Sequence, residues 1–162
     1  MADYDIVIRT VGFGSYTVAE IAAYQNYVQN GGNLLLLADH HADDGLAIGF
    51  GLHFQGATQG DNMLNNYTTH PLTSGVGPLF YNVGSGLTNY PPGAEIIGRL
   101  SLTSYVDYND NHSKDPDEPS GPPVLGVMSY GKGRIIFCGD TNIWLGVPQP
   151  LVDNFLAWVS DP

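Results

Sequence analysis

Apolar and polar positions in the first forty residues predict a strand, a helix and a second strand. The segment from Tyr4 to Thr10 is a short β-branched run followed by a glycine-rich turn. The next segment opens with a capping box at Thr17, and the apolar residues between positions 18 and 28 recur on one helical face. The run from Leu34 to Leu37 then indicates a buried strand. A strand, a helix and a strand in this order predict a βαβ unit with two parallel strands.

The middle of the chain has weaker periodicity. Residues 45–54 are apolar but interrupted by glycines, which indicates a short, irregular helix leading into a loop or small strand. Residues 55–92 are rich in Gly, Asn, Thr and Pro and predict long loops with short strands. The run from Ala94 to Leu100 predicts a further strand.

The C-terminal part predicts a hairpin and a helix. Two runs, Val124 to Tyr130 and Arg134 to Cys138, flank Gly131-Lys132-Gly133, which is a good hairpin signal. Residues 150–158 follow with apolar side chains spaced to pack a closing helix against the sheet. Taken together, these elements predict an α/β fold.

Composition limits both the size and the partners of the protein. A chain of 162 residues, 43% of them hydrophobic, has material for one core, so we expect residues 1–162 to form a single domain. Sixteen acidic and five basic side chains give a formal charge of -11, which disfavours nucleic acid and anionic membranes and favours cations. No apolar run approaches the roughly 18 residues that a membrane span requires, so we expect no membrane insertion.

Residue usage also bears on the compartment. The single cysteine excludes an internal disulfide and leaves the redox environment open. Ten tyrosines, few lysines and many Gly and Asn residues are more typical of an exported bacterial domain than of a cytosolic enzyme. We therefore expect a secreted or cell-surface bacterial protein.

A cluster of ionisable residues follows the strand at Leu34 to Leu37. Imidazoles and carboxylates are ligands of zinc and iron, and this cluster offers both, at Asp39, His40, His41, Asp43 and Asp44. Asp140 follows the last strand in the same way, and ligands of open α/β sheets bind beyond the carboxyl ends of the strands. Adjacent side chains of an extended segment point to opposite sides, so at most one of His40 and His41 is expected to join Asp39. Alternatively, Asp39 and Asp140 accept backbone N–H groups in turns.

A second candidate site is the acidic loop, residues 107–118. Oxygen-bearing residues fall at the ligand positions of an EF-hand calcium loop, namely Asp107, Asn109, Asn111, Ser113, Asp115 and Glu118. Position six is His112 instead of the turn glycine, and position eight is Lys114 instead of an apolar residue. The segment is either a calcium-binding loop or a solvated, mobile acidic loop, and the sequence leaves both open.

Several stretches together resemble the class I glutamine amidotransferase-like domains. They are YDIVIRT, YVQNGGNLLLLAD, HPLTSGV and GKGRIIFCGDTNIW, and they cover most of the chain outside the acidic loop. They are most similar to the non-catalytic branch of bacterial domains found within larger exported or membrane-linked proteins. The resemblance implies a flavodoxin-like three-layer sandwich with a mostly parallel sheet, ending here in a β-hairpin. It also implies that the first strand and helix of the family are missing from this chain.

The resemblance does not extend to the catalytic residues of amidotransferases. Those enzymes place a nucleophilic cysteine after the strand that here is Leu34 to Leu37, and a His-x-Glu pair after the last sheet strand. The corresponding positions here read Asp39-His40 and Asp140-Thr141-Asn142. The one cysteine, Cys138, lies inside the last predicted strand, where a buried thiol is inert.

Two functions follow as hypotheses. The first is a non-enzymatic binding or scaffolding module with a calcium-binding loop, whose partners are other domains of a larger protein or further copies of the chain. The second is a metal-dependent hydrolase that uses zinc or iron. In that case Asp39, one of His40 and His41, and Asp140 would hold the ion, and its bound water would be the nucleophile.

Overall fold

The computed structural model describes residues 3–10, 15–40, 45–145 and 148–160. Within these ranges the helices are α1 (Val18–Gln29), α2 (Gly45–Gly49) and α3 (Gln149–Ser160). The strands are β1 (Ile6–Thr10), β2 (Asn33–Leu37), β3 (His53–Gln55), β4 (Ala57–Gln59), β5 (Met63–Leu64), β6 (Asn66–Tyr67), β7 (Leu79–Phe80), β8 (Gly86–Asn89), β9 (Ala94–Arg99), β10 (Tyr105–Asp107), β11 (Pro123–Tyr130) and β12 (Gly133–Cys138). Short 3-10 turns span Pro71–Thr73 and Asn142–Trp144.

The main sheet has six strands in the order β1-β2-β12-β11-β9-β6. The β1/β2 and β2/β12 pairs are parallel, whereas β12/β11, β11/β9 and β9/β6 are antiparallel. The predicted parallel β1/β2 pair and the C-terminal hairpin are thus confirmed, but the expectation of a mostly parallel sheet is wrong. A parallel pair requires a long crossover, usually helical, and between β2 and β11 the chain forms short strands joined by turns instead.

Three two-stranded sheets, β3/β8, β4/β10 and β5/β7, lie within the segment between β2 and β11. They confirm the prediction that this Gly- and Asn-rich segment forms short strands within loops. The β4/β10 pair also fixes the start of the acidic loop, because Asp107 is the last residue of β10 and pairs with Ala57.

Both faces of the main sheet are packed, because side chains alternate along each strand. Leu34 and Leu36 of β2 lie in the apolar cluster that contains α1 and α2 residues, whereas Leu35 and Leu37 lie in the cluster that contains α3 residues.

No helix among the described residues is long and apolar enough to cross a membrane.

Helix α1 begins with the predicted capping box. The Thr17 hydroxyl accepts the backbone N–H of Glu20 at 3.2 Å, and the Glu20 carboxylate accepts that of Thr17 at 2.8 Å. The helix ends before Gly31, whose φ of 110° only glycine adopts readily. Two expected core positions lie at the surface instead, since Val18 is 85% exposed and Leu156 of α3 is 48% exposed.

Candidate functional site

Asp140 follows β12 at the carboxyl end of the parallel strands and is fully buried. One side-chain oxygen accepts the backbone N–H of Asn142 at 2.8 Å, and the other accepts that of Asn82 at 2.6 Å. Burial raises the pKa of Asp140 to about 6, although the two N–H donors oppose the shift, and the charge of Asp39 adds to it. Asp140 is therefore a buried carboxyl group that ties two loops to the end of the sheet.

Asp39 follows β2, the strand beside β12, and is partly buried. Its Oδ1 accepts the backbone N–H of His40 at 2.7 Å, and its Oδ2 accepts the hydroxyl of Thr141 at 3.2 Å. Its backbone carbonyl accepts the hydroxyl of Ser85 at 2.7 Å. The segments that follow the two parallel strands are thus joined directly, through Thr141.

A loop of residues 81–85 covers this end of the sheet. The buried Tyr81 hydroxyl donates to the Ser85 carbonyl at 2.6 Å, and the Ser85 N–H donates to the Gly139 carbonyl at 2.8 Å. The loop approaches so closely that a Cβ atom on Gly139 would overlap the Ser85 carbonyl oxygen and the Tyr81 hydroxyl. Glycine at position 139 is therefore needed for the close approach of two backbone segments.

The metal site predicted at this end lies partly outside the described residues, which do not include His41, Asp43 and Asp44. Across the described ranges, Asp39, His40 and Asp140 do not place three ligand atoms within 4.8 Å of one another. The hydrogen bonds of Asp39 and Asp140 match the alternative prediction, in which both carboxylates accept hydrogen bonds in the turns after their strands. The metal site itself stays a prediction.

Cys138 lies in β12 and is fully buried in the apolar cluster on the α3 side of the sheet. Burial raises the pKa of its thiol well above the ordinary range, and the neighbouring backbone N–H groups do not reverse that effect. Because the thiolate is the nucleophilic form of cysteine, this side chain is unreactive in the folded protein.

Asp107 anchors the acidic loop from the end of β10 and is fully buried. Its carboxylate accepts the backbone N–H groups of Asn109 and Asn111 at 3.3 Å each, and of His112 at 2.8 Å. Burial alone would raise the pKa of Asp107, but these donors, together with the N–H of Asp110, outweigh it and lower the pKa. The loop therefore closes around a charged carboxylate.

The backbone of the acidic loop is left-handed at two residues that are not glycine. Asp110 has a φ of 59° and His112 a φ of 57°. His112 stands at the sixth position, where an EF-hand loop uses glycine for its sharp turn, and it adopts the conformation that glycine would supply. Together with Asp107, these two side chains bring ligand atoms within 4.8 Å of one another, a set not repeated among the described residues.

The other predicted calcium ligands hold the loop together through hydrogen bonds. Glu118 is only 3% exposed and accepts two backbone N–H groups of the loop at 2.9 Å each. Asn109 and Asn111 both donate their amide groups to the carboxylate of Asp115, at 2.8 and 2.9 Å. The Asn111 amide oxygen accepts the N–H of Ser113 at 2.7 Å. A cation could take the place of the two amide groups at Asp115 if both amides turned their oxygens inward.

Sequence reasoning missed three residues at the end of the sheet, namely Asn82, Ser85 and Thr141. They contact Asp39 or Asp140 across 46 to 102 residues of chain, and nothing in the local sequence predicts such contacts. Asn142 differs, because it lies two residues after Asp140, and an aspartate commonly accepts an N–H at that spacing.

Comparison with known proteins gives similarity in fold alone. No protein-family model matches the sequence, and no curated protein matches it. Among solved structures, the mmIFT52 N-terminal domain superposes with a TM-score of 0.74 at 12% identity, covering 99% of this chain and 78% of that one. A putative ThuA-like protein from Bacteroides uniformis has a TM-score of 0.59 at 17% identity, covering 98% of this chain and 70% of that one.

A third structure is much longer than this chain. The β-galactosidase from Bacillus circulans sp. alkalophilus has a TM-score of 0.61 at 14% identity, covering 97% of this chain but only 23% of that one. ThuA-like proteins have a glutamine amidotransferase-like fold, so the resemblance found in the sequence holds at the level of the fold. The described residues form a mixed α/β structure consistent with it.

Proposed function

We propose that this chain is a non-enzymatic binding or scaffolding module of a larger bacterial protein, from the non-catalytic branch of the amidotransferase-like domains. One observation carries the proposal. All four carboxylate oxygens of Asp39 and Asp140, the acidic residues that follow the parallel strands, accept hydrogen bonds from groups of the protein itself. At the strand ends where an enzyme of this fold would carry its reactive groups, these carboxylates fix turns.

The thiol chemistry supports the same proposal. Amidotransferase chemistry requires a cysteine thiolate beside an imidazole, with access for a substrate. The single cysteine of this chain is enclosed in β12, and burial raises its pKa. Loss of that nucleophile while the surrounding fold is retained is what a binding module derived from an enzyme fold would show.

The size of the domain supports a place within a larger protein. This chain corresponds to less than a quarter of the Bacillus circulans enzyme that it matches in fold, so a unit of this kind occurs as one part of a long chain. The partners we propose are other domains of the parent protein or further copies of this chain.

Activity assays of the purified chain test the proposal. We expect no glutaminase, esterase or phosphatase turnover above background, with or without added Zn²⁺ or Fe²⁺, because the polar groups at the strand ends serve the fold. The matched variants are Asp39→Asn and, as an exposed acidic control, Asp117→Asn. Turnover that Asp39→Asn abolishes and Asp117→Asn leaves intact would contradict the proposal.

That outcome would favour the second hypothesis, a metal-dependent hydrolase. Its support is the position of the two carboxyl groups, because Asp39 and Asp140 follow neighbouring strands and Thr141, the residue after Asp140, donates to the Asp39 carboxylate. The charge of Asp39 also adds to the raised pKa of Asp140. A divalent cation between them would relieve this repulsion and would lower the pKa of a bound water. His40 or His41 would complete the ligand set.

Calcium binding by the acidic loop is part of the proposed function. Asp107 and Glu118 are buried carboxylates at the first and last ligand positions, and His112 adopts the left-handed turn of position six. Calcium prefers six to eight oxygen ligands in a flexible arrangement, which carboxylates, amide oxygens and a backbone carbonyl of such a loop provide. Binding only to the folded state would stabilise the domain.

We expect calcium to raise the melting temperature after chelator has removed any bound ion. At a free concentration of about 100 times the dissociation constant, the gain is about 2.7 kcal/mol, or roughly 5 to 10 °C for a domain of this size. Asn109→Ala should remove most of the response, because it deletes one of the proposed calcium ligands. The Asn109 side chain is exposed, so the substitution removes no buried contact. Asp117→Asn, which removes a loop charge at a non-ligand position, should keep it. An unchanged melting temperature in millimolar Ca²⁺ would refute calcium binding.

A further inference from the structure

Strand β1 forms one end of the main sheet and pairs with β2 alone among the described strands. The backbone carbonyl of Asp5 accepts the N–H of Asn33 in β2 at 3.2 Å. Backbone groups alternate in direction along a strand, so Ile6, Ile8 and Thr10 direct their N–H and C=O groups away from β2. Ile8 is also 61% exposed, so this sheet edge is apolar, and no described strand pairs with its outward hydrogen-bonding groups.

We propose that β1 pairs antiparallel with β1 of a second copy of this chain, across a two-fold axis at Val7. In this register Ile6 lies opposite Ile8 of the other copy, and each such pair exchanges two backbone hydrogen bonds. Both residues direct their backbone groups outward, as this pairing requires. The two main sheets then form one continuous sheet, and the exposed Ile8 side chains are buried between the copies.

Charge complementarity argues for a second copy as the occupant of this edge. In the same register Asp5 lies opposite Arg9 of the other copy, on the sheet face that also carries Val7. The Asp5 side chain is exposed, and no carboxylate of the described residues lies within 4.0 Å of the Arg9 guanidinium, which stacks on Tyr16 at 5.1 Å. The two-fold axis therefore creates two opposite-charge cross-strand pairs from one strand sequence.

The neighbouring registers lack this complementarity. Residues whose backbone groups point away from β2 must lie opposite residues of the other copy that do the same. The two-fold axis can therefore move only by a whole residue, to Ile6 or to Ile8. Either shift places a charged residue, Asp5 or Arg9, opposite Val7. Of the three registers, only the one with its axis at Val7 places apolar residues opposite apolar residues and Asp5 opposite Arg9.

This dimer goes beyond the proposed function and does not depend on it, because an enzyme could dimerise through the same edge. Its tests measure association only, so their failure would leave the activity assays unaffected.

Disulfide formation by Val7→Cys tests the two-fold axis. Residues facing each other in a non-hydrogen-bonded antiparallel pair have Cα atoms about 4.5 Å apart, which is within the range a disulfide spans. The only native cysteine is buried, so the unmodified chain is the blank. Mild oxidation should convert most of the variant to a species of twice the 17.4 kDa chain mass. Leu102→Cys is the matched control, because Leu102 is 83% exposed and lies outside the strands, shortly after β9, which three strands separate from β1 in the main sheet.

Sedimentation of the native chain and of surface variants provides a second test, which does not depend on the cysteine variant folding. Ile8→Lys should raise the dissociation constant at least about tenfold, because it places two lysines in the buried contact, whereas Leu102→Lys should not. Asp5→Lys should also weaken the dimer, and adding Arg9→Glu should restore it. A native chain that stays monomeric at all concentrations, or crosslinking of Val7→Cys no faster than of Leu102→Cys, would overturn the proposal.

Discussion

Replacing Gly139 by alanine is expected to lower the free energy of unfolding by about 3 kcal/mol or more, because over-packing at a rigid contact is strongly destabilising. The added Cβ would overlap the Ser85 carbonyl oxygen and the Tyr81 hydroxyl. Neither can move alone, since the Tyr81 hydroxyl donates to Ser85 and the Ser85 N–H donates to Gly139. The loop of residues 81–85 must therefore separate from the end of β12.

Thermal unfolding of the variant checks this expectation. A loss of about 3 kcal/mol corresponds to a melting temperature lower by roughly 6 to 12 °C in a domain of this size. Gly93→Ala is the matched control, because its Cβ would meet no atom within 4 Å. That substitution should be neutral or stabilise slightly by restricting the unfolded chain. Equal melting temperatures for the two variants would show that the loop does not pack on β12 as described.

The contribution of Asp140 to the stability of the protein is expected to fall as the pH rises from about 4 to 6. Its pKa is raised from 3.8 to about 6, so between these values the folded state binds more protons than the unfolded state. The contribution is complete below the unfolded pKa and is lost above the folded one. A shift of about two units is worth about 3 kcal/mol in total, of which roughly 1.3 kcal/mol falls between pH 5 and pH 7.

Asp140→Asn isolates this contribution from the other acidic groups. The amide cannot ionise, and its NH₂ group would face one of the two backbone N–H donors, so we expect the variant to be less stable than the native protein at pH 5. The difference in unfolding free energy between native protein and variant should narrow by about 1.3 kcal/mol from pH 5 to pH 7. Denaturant unfolding at the two pH values measures it. A difference that widens with pH would mean that the Asp140 pKa is lowered.

Elements whose signals are local could be predicted from the sequence. The capping box at Thr17 and Gly31 set the limits of α1, because each acts on backbone groups within a few residues. The Gly131-Lys132-Gly133 turn likewise predicts the β11/β12 hairpin, since two short strands joined by a tight turn can only pair antiparallel.

The direction of the remaining strands depended on distant pairing. The run Ala94 to Leu100 has the same pattern whether its neighbour is parallel or antiparallel, and only its pairing with β11 makes it antiparallel. Exposure was likewise decided by the tertiary structure at Val18 and Leu156, which have the apolar spacing of core positions but are exposed and belong to neither packed cluster.

The candidate sites divide in the same way. The sequence alone predicted that Asp39 and Asp140 lie at strand ends, and that the oxygen-bearing residues of 107–118 have the spacing of calcium ligands. Both predictions were possible because each pattern spans only a few residues. Only the folded chain placed Asn82, Ser85 and Thr141 on those aspartates, and only it buried Asp107 and Glu118. The reason is that burial and long-range hydrogen bonds depend on which segments meet in space, and a sequence pattern constrains only segments that are close along the chain.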